Sequence, residues 1–223
     1  MSFEFFVEQE VLDLGLKVKG VVIEGIDNKN MSEAYQNYRK EEISRLFEKY
    51  VNVKAKEDPI VEGFYALHSK VHVRRRNNAP SVETLIRLLQ KREDLPHINK
   101  VVDIYNIIST DLKISLGAHD IDKIDGNVTL KIQDGTERFV PLGSDEAQEV
   151  KAGEYSYIDE ANDIICHLEI RQVNKTLVDE NTKNIFIIVQ GNEVTSDELL
   201  EKTCQQLIEI ITKYCGGNGK IIR

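Results

Sequence analysis

Positive charge is in short supply in this chain. Its 223 residues carry 29 Lys and Arg against 38 Asp and Glu, a formal net charge of −9. Phosphate binding rests on Lys and Arg, so any contact with nucleic acid must come from a local cluster rather than from bulk attraction. Cysteine is also scarce. Cys166, Cys204 and Cys215 are odd in number, widely spaced and without metal-ligand spacing. They read as reduced thiols of a cytoplasmic protein. No apolar run approaches the roughly 18 to 20 residues of a membrane span, so no membrane partner is expected. Met1 to Glu10 has three acidic residues and no basic one, which does not fit a signal peptide. The phosphate-cradling P-loop, the G-x-G-x-x-G turn and the G-x-S-x-G nucleophile elbow are all missing. No cofactor and no metal is expected.

The composition that remains is 41% hydrophobic and 30% charged, enough apolar material for a real core. A β-branched run from Val18 to Ile26 has the profile of a buried strand. Asp27 to Asn30 reads as a turn, with Asn30 capping a helix that ends near Asn52 and Glu33 in capping-box position. Pro59 to Val73 predicts a short helix that includes His68, which reads as a satisfied histidine rather than a ligand. Pro80-Ser81 starts a helix to about Arg92, Ser81 serving as cap, and another covers Ile98 to Ser109.

From Leu116 the pattern changes to short strands. Asn127 to Gln133 alternates, and Asp134-Gly135 signals a hairpin turn from which Phe139 to Gly143 continues the sheet. Further strands fall at Tyr155 to Ile158, Ile164 to Val173 and Asn184 to Gln190. The unbroken apolar stretch Ile185 to Val189 belongs at a sheet centre. A last helix has Thr195 and Glu198 as capping box and stops at Gly216-Gly217. One domain over 1–223 is expected, helix-rich over 1–110, strand-rich over 116–191, with a C-terminal helix at 195–215. Helices and strands segregated in this way predict an α+β fold.

Four places could carry chemistry. Arg74, Arg75 and Arg76 form the one basic cluster, without interleaved aromatics for base stacking; a solvated loop is the plain alternative to RNA contact. His119, Asp120 and Asp122 lie close together, but their spacing matches no common metal site and suits a turn held by Asp side chains. Glu169 and Arg171 fall inside a predicted strand, where they share one face and Ile170 and Gln172 the other. They are either a solvent-facing pair or the polar floor of a pocket. Asn106 and Ser109 are polar positions in an otherwise apolar helix, either tying it to the next loop or aiming into a cavity.

The stretch Pro96 to Gly126 resembles a segment of the phenylalanyl-tRNA synthetase β subunit, in which a V-V-D-x-x-N helix leads to a turn of the form H-A-F-D-x-D-x-I-x-G. The matching residues are Val101-Val102-Asp103, Asn106, Ala118, Asp120, Asp122, Ile124 and Gly126. Asp179 to Ile185 is similar to the family's D-E-T-x-N-V segment with one residue shifted. Leu14 to Asn28 looks like the strand that opens the same tRNA-binding and editing domain. The resemblance runs over most of residues 14 to 215. It implies a three-layer α+β domain with helices packed on mixed and antiparallel sheets, here as a freestanding copy without aminoacylating elements.

It also implies an activity, hydrolysis of tyrosine wrongly attached to phenylalanine tRNA. Asn106 matches the family's pocket asparagine. Gly117 stands where the pocket histidine falls, and His119 takes the aromatic position two residues on. Ile188 stands where an acidic residue recognises the tyrosine hydroxyl, and Leu168 to Gln172 replace a glycine-rich pocket strand. The R-Q-x-x-K-T pattern, Arg171-Gln172 to Lys175-Thr176, looks like that of standalone relatives of the domain.

The resemblance makes Asn106 and Glu169 candidate catalytic residues. Asn106, Glu169, Arg171, Gln172 and Gly117 become candidate substrate contacts, and Arg74 to Arg76 candidate RNA contacts. Glu169 or Arg171 would hold an α-amino group, the other a carbonyl or ribose oxygen. The expected partner is tRNA with a small amino-acid moiety in the pocket, and not DNA. Three functions stay open: a trans-acting hydrolase of misacylated tRNA, a non-catalytic binder of tRNA or of a free amino acid, and a small-molecule enzyme that reuses the pocket with Glu169 as general base.

Overall fold

The computed structural model describes residues 3–223; the first two residues of the acidic N-terminal stretch lie outside it. Strand β1 (Phe5–Val7) and helix α1 (Gln9–Asp13) precede β2 (Lys17–Glu24). Four helices follow: α2 (Glu33–Tyr50), α3 (Pro59–Lys70), α4 (Ser81–Arg92) and α5 (Lys100–Leu112). Then come β3 (Ser115–Asp120), β4 (Val128–Ile132), β5 (Tyr155–Asp159), β6 (Ile164–His167), β7 (Arg171–Gln172) and β8 (Asn184–Gly191). Helix α6 (Asp197–Cys215) and strand β9 (Asn218–Ile221) close the chain.

The fold is α+β, with one antiparallel and one mixed sheet. The antiparallel sheet has the order β3-β8-β2-β9, and the mixed sheet the order β1-β4-β5-β6-β7, with β1 parallel to β4. Period-2 alternation decides what each face meets. On β2, Val21 and Ile23 join a core with α5 and α6, while Val18 and Val22 face the mixed sheet. On β8, Ile185, Ile187 and Val189 face the helices, while Phe186 and Ile188 meet Tyr155 and Tyr157 of the other sheet. Helices, antiparallel sheet and mixed sheet therefore stack as three layers. The middle layer is buried on both faces, which is why β8 reads as an unbroken apolar run.

Helix α5 is buried along nearly its whole length. One side joins the sheet core through Val101, Ile104 and Ile108, and Ile107 enters a separate helical core with α2, α3 and α4. The V-V-D-x-x-N residues divide these tasks. The two valines pack inward, and the Asp103 carboxylate accepts Tyr35 Oη at 2.9 Å and the Ile98 N–H at 2.8 Å. Asn106 lies three residues along from Asp103. The turn that ends the same segment is locked to the segment Asp179 to Ile185, Thr182 Oγ1 donating to Asp120 Oδ2 at 2.8 Å.

Several local expectations are corrected. The cap of α2 is Ser32, whose Oγ accepts the Tyr35 N–H at 3.2 Å, while the Asn30 amide donates to Asp27 instead. The cap of α6 is Ser196, and Thr195 accepts the Asn192 N–H. Ser81 is the first helical residue after Pro80, and its hydroxyl meets Ser115 Oγ at 2.7 Å rather than capping α4. Asp134-Gly135 does not close a hairpin. Asp134 turns to accept the Thr136 N–H, and residues 133–154 form a long excursion, closed where Gln133 and Gly153 meet at 2.9 Å. Within it Phe139 and Pro141 make isolated bridges only. The strand expected over Ile164 to Val173 breaks at Leu168, which takes a left-handed φ of 53°.

Ile187 is fully buried at the centre of the middle layer. Ile187→Ala leaves a cavity between β8 and the helices and is expected to cost about 2–5 kcal/mol. Urea unfolding with an unchanged m-value would register it as a lowered midpoint.

Candidate functional site: a chamber between helix α5 and the sheets

The break at Leu168 shapes the site. With residues 168–170 in a turn, Glu169 and Arg171 do not share a strand face, contrary to the sequence expectation. Glu169 points inward with its side chain 1% exposed, and Arg171 turns out to solvent. The Glu169 carboxylate accepts Tyr155 Oη at 2.6 Å and pairs with His68 Nε2 at 2.7 Å. Gln190 continues the network, donating to Tyr155 Oη at 3.2 Å and accepting Tyr157 Oη at 2.6 Å. Burial alone would raise the Glu169 pKa, but the attraction of His68 and the bonds from His68 and Tyr155 outweigh it and hold the pKa below its ordinary value. His68, read from sequence as an ordinary satisfied histidine, is fully buried and half-satisfied, its Nδ1 having no partner.

Above this network lies a chamber of about 670 Å3, within the usual range for a small-molecule site. The start of α4, helix α5, strand β3, residues 141–144 with Gln148, and residues 169–172 wall it. It gathers every expected pocket residue: Asn106, Gly117, Glu169, Arg171 and Gln172, together with Ile188. Asn106 is 8% exposed, and its side-chain amide has no hydrogen-bond partner among the described residues. Ser109, the other polar residue of α5, is tied down, donating to the Ile114 carbonyl at 2.7 Å.

Gly117 leaves room for a neighbouring side chain. A Cβ there would lie 2.7 Å from Gln172 Nε2, so the Gln172 amide occupies the space a side chain would fill. His119 lies behind this wall. Its Nδ1 meets Thr176 Oγ1 at 2.8 Å and its Nε2 has no partner. Burial lowers its pKa to about 3, so the ring is neutral. His119, Asp120 and Asp122 bond in three different directions, to Thr176, Thr182 and Asn184.

The R-Q-x-x-K-T pattern builds the same wall. Arg171 stands at the rim and Gln172 lies over Gly117. Lys175 Nζ sits among the carboxylates of Asp125, Asp159 and Asp163 at 2.6, 2.6 and 2.7 Å. That is the one cluster of potential metal ligands found among the described residues, and an ammonium ion fills it. Segment 141–144 is fastened to the outer side, the Leu142 N–H donating to the Gln172 carbonyl at 2.8 Å.

The arginine cluster is divided. Arg75 pairs with Glu62 and lies 4.5 Å over the Tyr65 ring, while Arg74 and Arg76 line a second cavity that shares Gln148 and Arg171 with the chamber. The three cysteines are buried, and burial raises their pKa values, Cys215 to about 11 and Cys204 to about 12. None is an activated thiolate.

Three stacked layers, with a chamber between a buried helix and two sheets, define the class. The chain belongs to the B3/4 domain family, whose family model matches residues 68–216 and thus includes every chamber residue. Two phenylalanine–tRNA ligase beta subunits are 32% identical to it. The one from Mycoplasma pneumoniae aligns over 116 residues, 52% of this chain and 14% of that protein. The one from Fusobacterium nucleatum subsp. nucleatum aligns over 111 residues, 49% and 13%. The crystal structure of an N-terminal fragment of the phenylalanyl-tRNA synthetase beta subunit from Pyrococcus horikoshii superposes with a TM-score of 0.54 at 15% identity. It covers 98% of this chain and 50% of that fragment, a likeness of fold. No helix among the described residues is long and apolar enough to cross a membrane.

Glu169→Gln removes the buried carboxylate to which His68 and Tyr155 are bonded. It is expected to destabilise the protein by roughly 2–3 kcal/mol near neutral pH, the range for hydrogen bonds to a charged group. Because folding lowers the Glu169 pKa, its contribution is complete above the unfolded value of about 4.3 and is lost as pH falls through the lower folded value. The stability gap between wild type and variant should close below about pH 4, as read by urea unfolding across a pH series.

Proposed function

We propose that this chain binds tRNA, takes the aminoacyl end of a charged tRNA into the chamber, and hydrolyses a wrongly attached amino acid. The observation that carries the reading is Asn106, whose side chain lines the chamber of a B3/4 domain and whose amide makes no hydrogen bond to the described residues. It is free to donate to an ester carbonyl that enters the chamber, in a site where a placed donor counts for more than in water. The relatives are tRNA ligase subunits, which supports tRNA as the partner. They are many times longer than the matched region, so only this part of their work is carried over. The described residues would act as one unit, in the cytoplasm where charged tRNA is met.

The chemistry asks for positioning more than for reactive groups. A water in the chamber attacks the ester carbonyl carbon, the ribose oxygen leaves with a proton, and the free amino acid and tRNA result. The Asn106 amide donates to the carbonyl oxygen as negative charge builds on it. Arg171 at the rim holds the ribose or phosphate side, and Gln172 lines the floor over Gly117. Ile188 presents an apolar surface where a carboxylate would bind a tyrosine hydroxyl, so the preferred amino acid carries no such hydroxyl.

Glu169 supports the wall in this reading, since its carboxylate is already bonded to His68 and Tyr155. It is also the one acidic residue lining the chamber. That observation favours a second reading, a binder of aminoacyl ends or amino acids that does not hydrolyse them. It weighs against a small-molecule enzyme using Glu169 as general base.

Deacylation of a panel of mischarged tRNAs separates these readings. Wild type should release at least one amino acid, and Asn106→Ala should be on the order of 100-fold slower with its fold intact. If wild type leaves every charged tRNA untouched, the hydrolase reading is lost, and binding without turnover would leave the second.

A further inference from the structure

The second cavity is not explained by the chamber. It measures about 650 Å3 and adjoins the first at Gln148 and Arg171, which line both. Arg74, Arg76, Lys151 and Arg171 line it, against the carboxylates of Glu149 and Glu154. Glu154 is already engaged, bonded to His167 Nε2 at 2.7 Å. On a chain of net charge −9, this groove is a local excess of cations.

The loop that carries the arginines is built rather than loose. His72 and Asn77 both hold left-handed φ values, 60° and 68°, without being glycine, a strain that persists only where neighbours enforce it. The Val73 N–H donates to the His68 carbonyl at 2.9 Å, and Asn78 Nδ2 donates to the Arg74 carbonyl at 2.9 Å. The Arg74 carbonyl is thereby satisfied within the loop, and Arg74 and Arg76 are left exposed. Arg75 is held away by Glu62 and Tyr65.

We infer that this groove is the track for the phosphodiester backbone of the unpaired RNA end whose terminal ester enters the chamber. The inference rests on the function proposed above and adds the surface that would deliver the substrate. Arg171 and Gln148 belong to both cavities, so a strand leaving the chamber meets the groove's cations at once. Phe139, the groove's one phenyl ring, is 3% exposed and offers no stacking face, which leaves the exposed His72 imidazole as the ring most open to a base. Recognition is through phosphate charge, tolerant of base sequence and sensitive to salt.

The test uses the full chain and fluorescein-labelled uncharged tRNA, titrated at several salt concentrations. Each phosphate contact to a single strand contributes about 0.7 to the slope of log affinity against log salt. The double variant Arg74→Gln/Arg76→Gln should flatten that slope by about 1.4, two contacts' worth, and bind about tenfold more weakly at low salt. Arg75→Gln and Arg87→Gln, which remove the same charge outside the groove, should keep the wild-type slope. Aminoacyl-adenosine, which lacks the upstream phosphates, should be cleaved equally by wild type and double variant. A wild-type slope in the double variant overturns the groove while leaving the chamber's function standing. Equal displacement of tRNA by polyaspartate would also overturn it, in favour of an acidic protein partner. Failure of wild type to cleave any charged tRNA, with the slope change intact, would sink the hydrolase reading and keep the groove.

Discussion

The Glu169 carboxylate is the constraint around which this molecule is arranged. A carboxylate with 1% of its side chain exposed is tolerable only when paired and hydrogen-bonded. It recruits His68 from α3 and Tyr155 from β5, and reaches β8 through Gln190. Bringing it inward requires the chain to leave the sheet at Leu168 in a left-handed turn. That turn ends β6 early, forms one wall of the chamber and places Arg171 at the rim. One buried charge thus links the helical layer, both sheets and the entrance of the site. Both partners lie within the span matched by the B3/4 family model, which begins at His68.

Much of this was legible in the sequence, and the exceptions have physical causes. The run Ile185 to Val189 announced a strand buried on both faces because nothing polar interrupts it. The α+β class followed from helices and strands lying in separate halves. Caps were misplaced by a residue or two because Asn30, Ser32, Thr195 and Ser196 are all competent caps, and tertiary bonding selects among them. The Glu169–Arg171 strand failed for a stronger reason. Alternation assumes that each charge seeks solvent, and a fully buried partner one hundred residues away reverses that preference. His68 carried no sign of this role, since a lone histidine on an amphipathic helix reads the same with or without Glu169 beneath it.

The pocket residues were located by family resemblance and given geometry by the fold. Gly117 and Gln172 make the point best. Gly117 offers no side chain, and the Gln172 amide lies 2.7 Å from where a Cβ would be. Gly117 on one strand and Gln172 of the R-Q-x-x-K-T pattern on the other therefore fit each other. Lys175 completes it from below, since three carboxylates would repel one another without its ammonium ion and the segment carrying Arg171 and Gln172 would lose its anchor. Burial opposes that charge, but the bonds to Asp125, Asp159 and Asp163 win and raise the Lys175 pKa.

For a chain of net charge −9, the proposed RNA binding depends on how its charge is distributed. Screening limits exposed charges to about 8 Å at physiological salt, so a phosphate in the groove senses Arg74, Arg76 and Arg171 far more than the acidic surface elsewhere. Distant carboxylates would lower such an affinity at low salt and disfavour nonspecific contact with other RNA faces. The balance suits a domain that should hold only a strand whose end fits the chamber. Weak charge attraction along the groove and a steric requirement at Asn106 would then act in series, the first tolerant of sequence and the second selecting the ester.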